Sequence, residues 1–497
     1  MRTNPTAGAV RCAVAFLEFY RQWPGYFCDS FQAVQVADLR RAGVDARIFK
    51  AYMHADLEGV VRQLLQSLEA EGPFRLLVTD RIWSRKLLAA VKRAAGDPEI
   101  LINQWEEPAR WPEVDYRISP MSRSTMLAFV DALQTGEERE VDLPNLYRRD
   151  DSGVWVAPRR TEALAVAREF GAPVEMAYDQ ATYHGLSYEE ASTTRYLVLN
   201  MGCPYRGAEN TSGFFEGVSL TTDWGDKGCT FCNVGPYEAQ TNQDRRGSMA
   251  RQLDAIVTHG PFEKLVVQDE YIFRDLDVLV EEICARDLTG VDLMVRARVD
   301  YIERCEPQLI RALELLGDRG TITPYLIGFE NFSDAELARY NKGQTGAEVE
   351  RAIAHLDALG EQHRNLRLSQ SQGFILFGPW TTLEDLEINA TAMRRVGFER
   401  LRGRFTSSKI RLNPDAALVR RAHADGLVTV AFGRDDEANA AATGYQAEIP
   451  YRFQDSGTAR VWEILNSGSD LGTSDEVERL ERAIAQARHE QQARGSE

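Results

Sequence analysis

Cysteine and histidine are scarce, with seven of each among 497 residues. An odd cysteine count without regular spacing argues against a disulfide framework. No run of about 18 apolar residues occurs, so no transmembrane helix is expected. The opening MRTNPTAGAVRCAVAF lacks an apolar core ending in a small-residue cleavage site, which makes the cytoplasm the expected location. Basic residues are outnumbered, 58 against 75, for a net charge of −17. Backbone recognition of nucleic acids depends on clustered Lys and Arg, so neither nucleic acid nor membrane is an expected partner. Apolar residues make up 44% and charged residues 27%, the balance of a globular chain long enough for two or three domains.

What cysteine there is gathers in one stretch. Residues 195–237 read RYLVLNMGCPYRGAENTSGFFEGVSLTTDWGDKGCTFCNVGPY and hold Cys203, Cys229 and Cys232. The apolar run 196–199 reads as a buried strand, with Gly202 letting the backbone turn away from it. Cys203 then stands at a strand's carboxyl end. Cys229 and Cys232 are two residues apart, close enough to reach one metal centre, and Gly228 eases the turn before them. A structural zinc site takes four ligands, and the nearest histidines, His184 and His259, lie outside the stretch. Three thiolates suit a [4Fe-4S] cluster with one iron open. A zinc knuckle completed from elsewhere, or a Cys-x-x-Cys redox pair, is the alternative. Cys12, Cys284 and Cys305 lie in apolar patterns and read as small buried side chains.

Residues 1–148 alternate strand and helix patterns: strands at 13–19, 46–52, 75–79, 100–103 and 116–118, helices at 31–42, 57–71, 84–95 and 122–133. Such repetition makes a doubly wound, Rossmann-like α/β sheet whose ligand crevice lies outside the strands' carboxyl ends. Residues 149–194 read as a connector with one short helix at 161–170, and His184 as a surface side chain within it.

From residue 195 the alternation restarts. Helices are expected at 248–259, 276–286, 306–316, 346–359 and 382–396, strands at 264–268, 292–296, 325–329, 373–377 and 401–406. Six strands separated by helices fit a partial (β/α)6 barrel of TIM type, with the site at the strands' carboxyl ends. Polar and glycine residues fall there: Asp269 and Glu270, Arg298, Glu330, Gly373 and Gly378. Residues 428–497 form a small, α-rich C-terminal region, its last helix opened by a capping box at Thr473 and Glu476.

GCPY followed by KGCTFCNVG resembles the radical S-adenosylmethionine (SAM) family, whose signature is Cys-x-x-x-Cys-x-aromatic-Cys after the first barrel strand. Here 25 residues separate the first two cysteines, as though a loop had been inserted; loop length costs little closure entropy. VVQDEYIFRD, GFENFSDAELARYNKGQT, GFILFGPWTTLEDL and SSKIRLNPDAALVRRAHADGL are similar, in order, to family segments at the second, fourth, fifth and sixth strands. The likeness covers about residues 196–427. The sheet before it resembles the cobalamin-binding domain of one large subgroup, although Asn103-Gln104-Trp105 stands where that subgroup often has Gly-Gly, and Asp-x-His-x-x-Gly is absent.

The resemblance implies that Cys203, Cys229 and Cys232 hold the cluster. It further implies that Asp269, Glu270, Arg298, Glu330, Gly373 and Gly378 bind SAM, which is cleaved reductively to a 5′-deoxyadenosyl radical. With cobalamin bound, the expected outcome is C-methylation of a small-molecule or peptide substrate, with electrons from a flavodoxin or ferredoxin. Rearrangement, cyclisation, dehydration or oxidation over a vestigial cobalamin-type domain is the alternative. A non-catalytic metal-binding interaction protein is the alternative from another class. The inserted loop, with Phe214, Phe215 and Trp224, reads as a lid, a docking loop or an ordinary packed loop.

Overall fold

A computed structural model describes residues 13–20, 30–52, 56–79, 85–103, 113–119, 121–162, 169, 177, 181–185, 193–200, 202–207, 213–218, 228–232, 242–258, 260–412, 416–429, 449–467 and 471–495. Expectations for Cys12, Trp224 and most of the helix at 161–170 lie outside these residues. Two compact units divide the chain, one running to Leu199 and taking in Thr241–Glu263, the other made mainly of Asn200–Gln240 and Lys264–Phe432.

In the first unit, β1 (Ala13–Tyr20), β2 (Asp45–Tyr52), β3 (Leu76–Thr79), β4 (Glu99–Ile102) and β5 (Tyr116–Ile118) lie in the order β2-β1-β3-β4-β5. All are parallel. Every residue of β3 is buried, as the uninterrupted apolar run of a covered parallel strand requires. Helix Leu57–Glu71 starts where Asp56 accepts the Gly59 amide and buries Val60, Leu64 and Leu68, four residues apart on one face. Leu64 is wholly buried, and truncating it to alanine costs about 2–5 kcal/mol. The strand order reverses between β1 and β3, which places the crevice of a doubly wound sheet there.

The stretch read as a connector supplies two sheet strands and the last residue of a third. β6 (Leu146–Arg149) and β7 (Trp155–Val156) add antiparallel pairs beside β5, and β8 (Ala181–His184) pairs parallel with β2. His184 is therefore a buried strand residue at 6% exposure, not a surface side chain. β9 (Thr194–Asn200) is buried along its whole length and is braced by Gln252, whose amide bonds both backbone groups of Val198.

The second unit begins at the last residue of β9. β10 (Lys264–Asp269), β11 (Val291–Val295) and β12 (Gly320–Pro324) run side by side in parallel register. β13 (Gly328–Glu330) and β14 (Gly373–Phe374) form a parallel pair. Helices Leu276–Cys284, Glu306–Leu316, Gly346–Gln362 and Leu383–Val396 separate the strands. The strand expected at 325–329 falls instead on either side of Tyr325, as β12 and β13. The one expected at 401–406 is turns and a 3-10 turn at Phe405–Ser407, because Gly403 and a left-handed Arg404 at φ 53° break the extended run. The final helix, Glu476–Gly495, is capped by Asp475, which accepts the Glu478 amide at 2.6 Å. That replaces the expected Thr473–Glu476 box.

Candidate metal centre and cofactor site

At the end of β9 the Asn200 carboxamide, itself fully buried, accepts the Gly202 amide at 2.8 Å. This bond turns the chain toward Cys203; Gly202 is not among the left-handed glycines. Gly228 does have a left-handed backbone, φ 105°, so a side chain there would strain the entry to Cys229. The Cys232 amide donates to the Cys229 carbonyl at 3.2 Å, closing the turn between those two cysteines.

Residues 339–343 lock the cysteine loops in place. Thr230 donates from its amide to the Tyr340 carbonyl at 3.0 Å and from its hydroxyl to the Arg339 carbonyl at 2.7 Å. The Asn341 amide donates to the carbonyls of Gly207 at 3.0 Å and Gly228 at 2.7 Å. Gly228 itself donates to Gly207 at 2.9 Å, so the two arms on either side of the insertion meet. Gly343 is left-handed, and a Cβ there would stand 2.4 Å from the Tyr205 hydroxyl. Glycine is what lets Tyr205 lie against this turn.

Around the thiols the charge is arranged in pairs. Arg298 lies with its guanidinium 3.9 Å from the Tyr205 ring centre, donates to the Cys229 sulfur at 3.7 Å, and binds the Lys342 carbonyl at 2.7 Å and Asp300 at 3.0 Å. Lys342 in turn pairs with Glu330 at 2.8 Å, both buried. Burial pushes the Cys203 thiol up to about 11, against a backbone bond from Tyr205, while the neighbouring Cys229 raises it further and Arg298 lowers it. Cys203 and Cys229 are thus within electrostatic reach of each other despite the insertion.

The other expected site residues are distributed as follows. Glu270 pairs with Arg296 at 3.3 Å, which also binds the Tyr325 hydroxyl at 2.8 Å, and Glu270 is near enough to Cys203 to act on its thiol. Asp269 is buried and shapes the turn after β10 by accepting the Tyr271 amide at 2.7 Å. Gly373 pairs with Gly328, and a Cβ there would lie 3.0 Å from the Ile327 carbonyl and 3.6 Å from Glu330. Gly378 gives its amide to the Thr381 hydroxyl at 2.7 Å and packs near Tyr340. Cys203, Cys229, Glu270 and Arg298 come together, and Gly373 meets Glu330; Gly378 serves the turn at Thr381. Sequence reading passed over Tyr205, Asn341 and Lys342 as site residues, although all three lie in segments that carried the family resemblance.

Phe215 is buried in a core with Tyr340, Trp380, Ile410 and Leu418, and Phe214 meets Trp380 edge-on at 4.9 Å. For this part of the insertion, the packed-loop reading holds. Cys305 is buried, whereas Cys284 is partly exposed.

Among the described residues, no group of three or more His, Cys, Asp or Glu side chains stands as it would around a single metal ion. An iron–sulfur cube offers each thiolate its own iron and so takes ligands set further apart. Three cysteines on two pinned loops, with Arg298 and Lys342 acting on the Cys229 sulfur, suit such an anionic, thiolate-bound cube.

The first unit carries a cluster of buried amides that bears on a corrinoid. At the carboxyl side of its sheet Asn103 donates to Gln35, and both side chains are buried, as is Gln32. Both amide atoms of Gln32, the Gln35 nitrogen and the Asn103 oxygen have no partner among the described residues. Buried amides are otherwise almost always satisfied, and the carboxamide-rich rim of a corrinoid offers the donors and acceptors they lack.

Solved structures carry the same fold. The chain superposes on the cobalamin-dependent S-adenosylmethionine radical enzyme OxsB, solved with aqua-cobalamin and S-adenosylmethionine bound, at a TM-score of 0.61 and 13% identity over 92% of this chain. It spans 66% of that chain's length, just under two thirds. It also superposes on the radical S-adenosylmethionine methyltransferase TsrM from Kitasatospora setae, solved with tryptophan substrate and the analogue aza-SAM bound. There the TM-score is 0.50 at 13% identity, over 77% of this chain and 71% of that one. No protein-family model and no curated protein sequence matches the chain. With both of these enzymes the chain shares its fold, a doubly wound α/β unit followed by a second α/β unit.

Proposed function

We propose that this chain is a radical SAM enzyme that uses cobalamin to methylate carbon in a small-molecule or peptide substrate. The observation that carries the reading is the convergence of Cys203 and Cys229 across the insertion, with Cys232 one turn away, on a fold shared with such enzymes. When bound, the cluster supplies the electron that cleaves SAM, and the corrinoid supplies the methyl carrier. The protein's own part is to hold and orient. Asn341 and Thr230 fix the thiolate loops, Arg298 and Lys342 offset their charge, and Glu270, which acts on the Cys203 thiol, and Glu330, paired with Lys342, would serve as acceptors for the SAM ammonium and ribose. The Gln32, Gln35 and Asn103 amides would hold the corrinoid's side chains. An electron donor such as a flavodoxin or ferredoxin completes the system.

Anaerobic reconstitution with iron, sulfide and hydroxocobalamin, followed by reduction in the presence of SAM, tests this. Bound iron and cobalt, with 5′-deoxyadenosine and S-adenosylhomocysteine both released, support the methyltransferase. Deoxyadenosine alone points to rearrangement, cyclisation, dehydration or oxidation, and zinc with neither product overturns the enzyme reading.

A further inference from the structure

The side chain with the most complete set of contacts near the thiols is Arg298. All three guanidinium nitrogens are committed: to the Cys229 sulfur at 3.7 Å, the Lys342 carbonyl at 2.7 Å and Asp300 at 3.0 Å. Its planar face covers the Tyr205 ring at 3.9 Å, and the residue is 5% exposed. An arginine so held keeps its charge and its aim, since the guanidinium does not deprotonate and its fork is rigid. The second nearby cation, Lys342, is matched by its own anion, Glu330, at 2.8 Å. Asp300, the anion beside Arg298, has 28% of its side chain exposed and is partly screened by water, so it offsets less of the positive charge at Cys229.

We propose that Arg298 is a positioning residue that sets the reduction potential of the cluster, through the hydrogen bond from its guanidinium to the Cys229 sulfur. The proposal rests on the cluster reading given above. Reduction takes one electron from a donor protein or dithionite, which is oxidised in turn, and breaks no bond in the protein. The added negative charge spreads over the thiolates, so a cation and an N–H donor fixed on one of them favour the reduced state. Hydrogen bonding to ligand sulfurs is one of the levers by which proteins move such potentials. The same guanidinium acts electrostatically on Cys203, so its field covers both arms of the ligand set.

The test is a redox titration of the reconstituted protein followed by electron paramagnetic resonance, on wild type, R298Q, R298K and D300N. In R298Q the equilibrium constant for reduction falls about tenfold, a shift of about 59 mV to more negative potential for one electron. R298K keeps the charge and retains most of the wild-type value. D300N removes the anion beside the guanidinium and moves the potential the other way. Opposite shifts for R298Q and D300N support the proposal; unchanged potentials, or shifts of the same sign, overturn it. Where R298Q fails to hold a cluster, D300N decides: a positive shift supports the proposal and none overturns it. Iron analysis of the wild type separates the two claims, because a wild-type protein that binds no cluster overturns the functional reading itself.

Discussion

The Asn341 side-chain amide donates to the Gly228 carbonyl at 2.7 Å, immediately before Cys229, and the same nitrogen reaches Gly207 at 3.0 Å. One side chain therefore ties together the arms of a loop that carries 25 residues between two of the proposed ligands. Asn341 itself is left-handed, φ 47°, a backbone that asparagine tolerates better than most residues.

Replacing Asn341 by alanine leaves the buried Gly228 carbonyl short of a donor, at a cost of about 1–3 kcal/mol. The effect should appear at the metal site first. N341A is expected to lose iron to a chelator on the order of tenfold faster than wild type. An unchanged rate would mean that the arms are held by other means.

Glu330 and Lys342 form a buried pair at 2.8 Å. Burial disfavours the lysine charge, but Glu330 and Cys229 more than offset this and hold its pKa above the usual value. E330Q strands the ammonium and should cost about 3–5 kcal/mol, whereas the double variant E330Q/K342M should recover most of that. Thermal unfolding of both reads this directly. No loss of stability in E330Q would show that the pair is dispensable to the fold.

Burial holds the His184 imidazole below its usual range, partly countered by Glu71, and its Nε2 has no partner among the described residues. The folded pKa lies below the unfolded one, so the unfolded chain takes up the proton first as pH falls. Stability is then fully present above about 6.5 and is lost as pH falls through that value toward the folded pKa. Urea midpoints between pH 7.5 and 5.5 should fall for wild type and change less for H184L; equal slopes would contradict the assignment.

The Gln35 amide nitrogen and the Asn103 amide oxygen have no partner among the described residues. Q35L and N103L should each weaken hydroxocobalamin binding on the order of 3- to 10-fold, read by equilibrium dialysis, and leave the iron content unchanged. Undiminished affinity in both would remove these side chains from the corrinoid site.

The first sheet was largely legible because its strands are uninterrupted apolar runs set between helices with four-residue apolar spacing, as in Leu57–Glu71. β8 escaped reading because Ala-Thr-Tyr-His has no such run; it is a strand by virtue of pairing with β2, a partner more than a hundred residues away. The cysteines announced themselves by spacing. Arg298 was visible as a cation at a strand end, but its partner, Cys229, lies 69 residues distant. The Asn341 bridge spans 113 residues. Contacts of that separation depend on how the helices pack, which no local pattern records. The two phenylalanines of the insertion carried their own hint, since an apolar pair in a polar loop usually has a core to enter.

The account stands most directly on the iron content of the anaerobically reconstituted protein, compared with C203A. Wild type should hold about four irons per chain with acid-labile sulfide, and its reduced paramagnetic signal should change shape when SAM is added, while C203A should lose most of both. Wild type that holds zinc in place of iron, or C203A that keeps the full complement, would contradict it.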